Sequence, residues 1–176
     1  VNVTEGRPFP SLIFTAGLVI ALTMITLGFV SAGFVIVGLA LICAAATMSV
    51  WRPVGVLYVA VLGVGLLLII LSPSYGLPAM LVLLVTVWGT DTGAFAAGRS
   101  IGGPKLWPAV SPKKTWSGAI GGLVVGLGLG LAVAAMLGIA VTPGLVLVVL
   151  GLALASQAGD LFESWVKRRF NAKDSS

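Results

Sequence analysis

Residues 115–160 read TWSGAIGGLVVGLGLGLAVAAMLGIAVTPGLVLVVLGLALASQAGD, and no charge interrupts them before Asp160. A helix needs about 20 predominantly apolar residues to cross the hydrocarbon core of a bilayer. The stretch is long enough for two such helices, and Thr142-Pro143-Gly144 marks the turn between them. We therefore expect spans near 115–140 and 144–166. The helix of a soluble protein carries a polar face; neither of these has one over most of its length.

The same reading extends outward. Residues 8–51 and 53–90 are also free of charge. The first run holds two spans, near 11–29 and 33–50; a third is expected near 54–71 and a fourth near 77–97, with Ser72-Pro73-Ser74-Tyr75-Gly76 as the turn between them. A polar, basic loop is expected over 98–114. The expected fold is all-α: one polytopic membrane domain over residues 1–176 with six transmembrane helices and both termini cytoplasmic.

Composition excludes the main alternatives. Hydrophobic residues make up 59% of the chain and charged residues 9%, with a mean hydropathy of +1.16. A soluble domain has about 25% charged residues, and disorder requires high charge with low hydrophobicity. The absence of histidine removes imidazole bases and ligands, and the single cysteine, Cys43, removes an intrachain disulfide and a multi-cysteine zinc site. The net charge of +5 is not a nucleic-acid signal, because the basic residues flank apolar spans. With six spans, Arg7, Arg52, Arg99, Lys105, Lys113, Lys114, Lys167, Arg168, Arg169 and Lys173 all fall on one side. The positive-inside rule makes that side cytoplasmic, and Trp51, Trp107, Trp116 and Trp165 lie near the same interface.

In the fifth span, Gly118, Gly122, Gly126 and Gly130 recur every four residues and share one helical face. Small residues let another helix approach closely. The partner is either a helix of the same chain or a second copy in a homodimer.

Acids inside apolar spans carry the functional signal. Asp91 lies near the inner end of the fourth span, and Asp160 and Glu163 near the inner end of the sixth. Asp91 and Asp160 precede a basic cluster by eight and seven residues, roughly 10 Å of helix, and Glu163 lies one turn nearer to it. A carboxylate at that depth costs on the order of 3 kcal/mol and needs a partner or a watery cavity. Ser156, Asp160, Glu163, Ser164 and Lys167 share one face of the sixth helix. Three readings follow. The acids form structural ion pairs (Asp91 with Arg99, Asp160 or Glu163 with Lys167), they line an ion pathway, or Asp91, Asp160 and Glu163 hold a divalent cation. Hard oxygen ligands suit Mg²⁺, which takes few carboxylates and completes its shell with water and substrate phosphates. Ser111-Pro112 reads as the N-cap and first residue of the fifth helix, which then starts with Lys113, Lys114 and Thr115. Such a helix end binds phosphate.

Two stretches resemble the phosphatidate cytidylyltransferases (CDP-diacylglycerol synthases). Trp88-Gly89-Thr90-Asp91-Thr92-Gly93-Ala94-Phe95, running through Gly98-Arg99 to Ser111-Pro112-Lys113-Lys114-Thr115-Trp116, is similar to that family's central motif. Gly159-Asp160-Leu161-Phe162-Glu163-Ser164, followed by Val166-Lys167-Arg168 and Lys173-Asp174, is similar to its C-terminal signature. Ser117 stands where the family commonly has Glu. The family's pattern continues with His-Gly-Gly and Asp-Arg-x-Asp segments and another apolar span. The chain starts at Val1 and ends at Ser176, so we expect it to be part of a longer protein.

The resemblance implies the reaction of CTP with phosphatidate to give CDP-diacylglycerol and diphosphate, at the cytoplasmic face of a bacterial inner membrane. It implies Mg²⁺, with room for a second monovalent or divalent cation. Asp160 is then the first metal ligand, with Asp91 and Glu163 beside it. Arg99, Ser111, Lys113, Lys114 and Thr115 face the triphosphate. Ser164, Lys167, Arg168 and Lys173 face the lipid phosphate or diphosphate, and Asp160, Lys167 and Asp91 act in catalysis. The rivals are a CTP-dependent polyprenol kinase and an ion-coupled transporter. The Asp-Gly-x-x-Ala-Arg motif of the CDP-alcohol phosphatidyltransferases is absent.

Overall fold

The computed structural model describes the backbone of residues 8–45 and 51–169 and the side chains of 15–43 and 54–169. Arg7 and Lys173 lie outside the described residues, as do the side chains of Trp51 and Arg52. The chain runs α1 (Pro8–Thr26), α2 (Val30–Ala45), α3 (Trp51–Ile70), α4 (Gly76–Ser100), β1 (Lys105–Trp107), β2 (Ser111–Thr115), α5 (Trp116–Met136) and α6 (Pro143–Arg169). A helix stands at each of the six expected places. The chain is predominantly helical, as expected, and the correction is local: β1 and β2 pair antiparallel within the segment expected as a loop.

Among the described residues, three helices, α4, α5 and α6, are long and apolar enough to cross a membrane. The described apolar stretches of the others, Thr15–Thr26, Val30–Cys43 and Val54–Ile70, are shorter. Large apolar side chains cover the outer faces of the long helices: Leu77 is 71% exposed, Trp88 66%, Val124 65% and Leu147 68%. Lipid, not water, is the solvent for such a surface, and the chain is of the integral-membrane class.

The chain divides into two compact units, residues 1–76 and 77–176. In the first, Leu18, Val56 and Ala60 form a buried cluster with Val37, Ala40 and Leu41 against it. Gly28, at φ 90°, turns α1 into α2.

In the second unit, Val82, Ala134 and Val149 bring α4, α5 and α6 into one core. The glycine stripe of α5 is buried and continues to Ala134. Its partner is α4 of the same chain: a Cβ on Gly118 would lie 2.8 Å from the Ala94 carbonyl oxygen, and one on Gly122 2.7 Å from that of Thr90. Added atoms on Gly126 and Gly130 would collide with the hydroxyls of Thr90 and Thr86. Those two threonines are fully buried, and each satisfies its hydroxyl on the carbonyl four residues back, at 2.8 and 2.7 Å. The stripe thus packs within the chain, in the first of the two ways expected.

Overpacking at a site of this kind costs about 1–3 kcal/mol. Gly126→Ala is therefore expected to lower the thermal unfolding temperature in detergent. Gly128→Ala, where an added Cβ meets nothing within 4 Å, is expected to leave it unchanged or raised.

Candidate active site

The site begins where α4 ends. Ile101 N–H closes the last turn on the Ala97 carbonyl at 2.9 Å. Gly102 and Gly103 then take φ values of 67° and 101°, a region that β-carbons disfavour, and the chain reverses into β1. The hairpin turn is closed by Val110 N–H to the Trp107 carbonyl at 3.1 Å, and its base by Trp116 N–H to the Pro104 carbonyl at 3.1 Å. Ser117 Oγ also bonds the Gly102 carbonyl oxygen. A hydroxyl therefore ties the start of α5 to the glycine turn, at the position where the resembled family commonly has Glu.

This hairpin corrects the expected start of the fifth helix. Ser111-Pro112 is not its cap. The residue before a proline is driven to extended backbone, and Ser111 continues as strand opposite Trp107. The cap is Thr115, at φ −120° and ψ 159°, whose Oγ1 accepts the Gly118 N–H at 3.1 Å. Lys113 and Lys114 accordingly sit on β2, not on a helix tip. Lys105 pairs with Thr115 and Trp107 with Ser111, so β2 advances four residues while β1 advances two. A bulge of this sort re-aims side chains and accommodates the missing N–H of Pro112. In a regular strand two successive residues point to opposite faces. Here Lys113, Lys114 and Thr115 all line the same cavity.

That cavity measures about 520 Å³, within the range of small-ligand sites. α4 contributes Asp91, Phe95 and Arg99, and α6 contributes Gln157 and Asp160. Gly118 and Ala119 of α5 form the floor, and Leu106 of β1 adds an apolar wall. Lys114 Nζ donates to Asp160 Oδ2 at 2.9 Å, a half-buried pair. Ser156 Oγ donates to Asp91 Oδ1 at 3.4 Å, and Asp91 feels the charges of both Asp160 and Lys114. The Arg99 guanidinium lies 5.9 Å from the centre of the Phe95 ring, at a distance where a cation and an aromatic face attract. The carboxylates expected from the fourth and sixth helices therefore share one cavity with three cations.

The remaining expected residues lie elsewhere. Glu163 pairs with Lys167 at 2.5 Å on the exposed side of α6, the i,i+4 ion pair of one of the readings above. Ser111 is buried in the hairpin. Arg168 Nε donates to the Val110 carbonyl at 2.5 Å. None of these, nor Ser164, lines the cavity. The Asp91–Arg99 ion pair of the same reading is replaced by Asp91 with Ser156 and Arg99 with Phe95. Gln157 was not singled out in the sequence; its Nε2 donates to the Ala119 carbonyl at 2.9 Å and so fixes α6 to the cavity floor. Its position three residues before Asp160, on the same helical face, is the signal that marks it.

Among the described residues no group of three or more Asp, Glu, Cys or His side chains comes together as a metal cage. Two carboxylates do share the cavity, and Mg²⁺ is commonly held by one or two carboxylates with water and substrate phosphates. Asp91 and Asp160 fit that mode; Glu163, turned to Lys167, does not join them.

A model of the cytidylyltransferase family matches residues 6–176. The chain belongs to that family. It is 43% identical over 125 residues to the phosphatidate cytidylyltransferase of Brucella suis biovar 1 (strain 1330), a match covering 71% of this chain and 46% of the relative. The enzyme of the same name from Staphylococcus aureus (strain COL) is 42% identical over 118 residues, covering 66% of this chain and 45% of the relative. That of Staphylococcus saprophyticus is 39% identical over 118 residues. The chain thus spans about half the length of the curated relatives it matches. No solved structure matches it.

The assignment of the cap is open to direct test. Thr115→Val should destabilise the folded chain by about 1 kcal/mol and speed amide exchange at Gly118, whereas Ser111→Ala should leave exchange at Gly118 unchanged.

Proposed function

We propose that this family member forms the nucleotide-facing part of a phosphatidate cytidylyltransferase. In that reaction CTP and phosphatidate give CDP-diacylglycerol and diphosphate, at the cytoplasmic face of a bacterial inner membrane, with six crossings and both termini inside. The observation that carries the reading is the cavity in which Asp91 and Asp160 meet Arg99, Lys113 and Lys114.

The chemistry follows from charge. The nucleophile is a phosphate oxygen of the lipid, and it attacks the α-phosphorus of CTP. That oxygen is already anionic, so the step needs no strong base. The obstacle is repulsion between two polyanions, which fixed cations aimed at the reacting phosphates relieve. Lys113 and Arg99 bind the triphosphate. Lys114 bonds Asp160 in the free protein and exchanges that carboxylate for a phosphate oxygen when nucleotide enters. Asp160 and Asp91 are the residues suited to hold Mg²⁺, with or without a second cation. When bound, that ion supplies charge neutralisation and alignment of the phosphates. Phe95 and Leu106 give the cavity an apolar side, as a substrate with acyl chains requires.

In the full-length protein, Asp160→Asn is expected to lower turnover about 100-fold or more while leaving thermal stability near wild type. Turnover close to wild type excludes the role given to Asp160. Lys114→Ala is expected to raise KM for CTP more than it lowers kcat, and an unchanged KM places the triphosphate elsewhere. CTP labelled at the α-phosphate is expected to leave its label in the lipid. Transfer of a γ-label instead identifies a lipid kinase.

A further inference from the structure

We infer that Arg168 is a positioning residue: it straps the turn of the β1–β2 hairpin to α6 and so holds Lys113 and Lys114 at the cavity. The inference concerns a residue outside the cavity and rests on the reading above only in that Lys113 and Lys114 face substrate phosphate.

The geometry is specific. Arg168 Nε donates to the carbonyl oxygen of Val110, the last residue of the hairpin turn, at 2.5 Å. The Val110 side chain is 5% exposed and packed inward, so the carbonyl is held at a defined place. The guanidinium does not line the cavity. A two-stranded hairpin is marginal alone, and this one is short and bulged. α6 ties it down at two points, by Asp160 to Lys114 within β2 and by Arg168 to the turn. The two anchors stand eight residues apart on α6, roughly 12 Å along the helix axis.

The two ties differ in what substrate does to them. Phosphate entering the cavity competes directly for Lys114 and releases the first. The second lies outside the cavity and is untouched. Arg168 therefore keeps β2 against α6 at the moment when Lys114 turns from Asp160 to substrate. Without it the hairpin is freed as its own lysines begin to bind, and CTP binding must supply the ordering.

Side-chain connectivity allows a sharp test. Arg Nε, Gln Nε2 and Met Cε are each the fourth side-chain atom beyond Cα. Arg168→Gln thus keeps an N–H donor at that place without the guanidinium charge, and Arg168→Met keeps the length without a donor. Both are made in the full-length protein in nanodiscs. Hydrogen exchange of the hairpin amides over 105–115 is measured without nucleotide, and KM and kcat with CTP and phosphatidate. One hydrogen bond of ordinary net strength corresponds to about fivefold in an equilibrium. Arg168→Met is expected to speed hairpin exchange and raise KM for CTP by about that factor, with kcat changed less and exchange in α4 and α5 unaltered. Arg168→Gln is expected to stay near wild type in both measurements. Equal impairment of KM by the two variants with hairpin exchange unchanged overturns the inference, because the side chain then acts by its charge. Wild-type exchange and kinetics in Arg168→Met overturn it as well. If full-length wild type makes no CDP-diacylglycerol, the proposed function falls, and the exchange measurement still decides whether the strap exists.

Discussion

The site depends on how closely α4 can approach α5. Between most helices side chains keep backbones 8–10 Å apart. Here the α5 stripe of Gly118, Gly122, Gly126 and Gly130 leaves no room even for a methyl group beneath α4. Gly89, Gly93 and Gly98 answer it from the other side: added Cβ atoms there would meet Leu129 or Gly126, Val125, and the Thr115 hydroxyl respectively. With no solvent-driven force holding helices together inside a bilayer, such close contact supplies the association. It also sets position. The Gly98–Gly118 contact brings the end of α4, with Phe95 and Arg99, over the start of α5, and the connection between them is forced into a tight hairpin.

That hairpin brings two lysines to the cavity. Its bulge turns Lys113 and Lys114 to the same side, and its last residue, Thr115, ends the strand and caps the next helix. α6 completes the cavity with Asp160 and Gln157. An acid from each of two helices and cations from a helix and a strand therefore converge, although they are separated by as many as 69 residues between Asp91 and Asp160. Each acid has a partner in the free protein, Ser156 or Lys114. The cavity thus pairs each acid while keeping Arg99 and Lys113 on its lining.

Much of this was legible in the sequence. Charge-free runs bounded by basic clusters mark the helices because hydrophobic transfer dominates in a membrane, and the depth of Asp91 and Asp160 marks the site because a buried carboxylate is costly. The glycine period of four marks the α4-facing side of α5, though not its partner. The hairpin was not legible. Ser-Pro followed by two lysines fits a helix start as well as a bulged strand, and the choice rests on long-range pairing with Lys-Leu-Trp at 105–107 that no local pattern reports. The same limit hid the partner of Arg168, a carbonyl 58 residues away, whereas the Glu163–Lys167 pair is a local i,i+4 contact that the sequence offered as one of its readings.

The central claim is that Asp91, Asp160, Lys113 and Lys114 act on one bound triphosphate. An experimental structure of the full-length protein with a non-hydrolysable CTP analogue tests it most directly. The account predicts phosphate oxygens within hydrogen-bond distance of Lys113 and Lys114, with both carboxylates bordering the same phosphates. A triphosphate bound outside this cavity, or the two carboxylates facing separate surroundings, contradicts it.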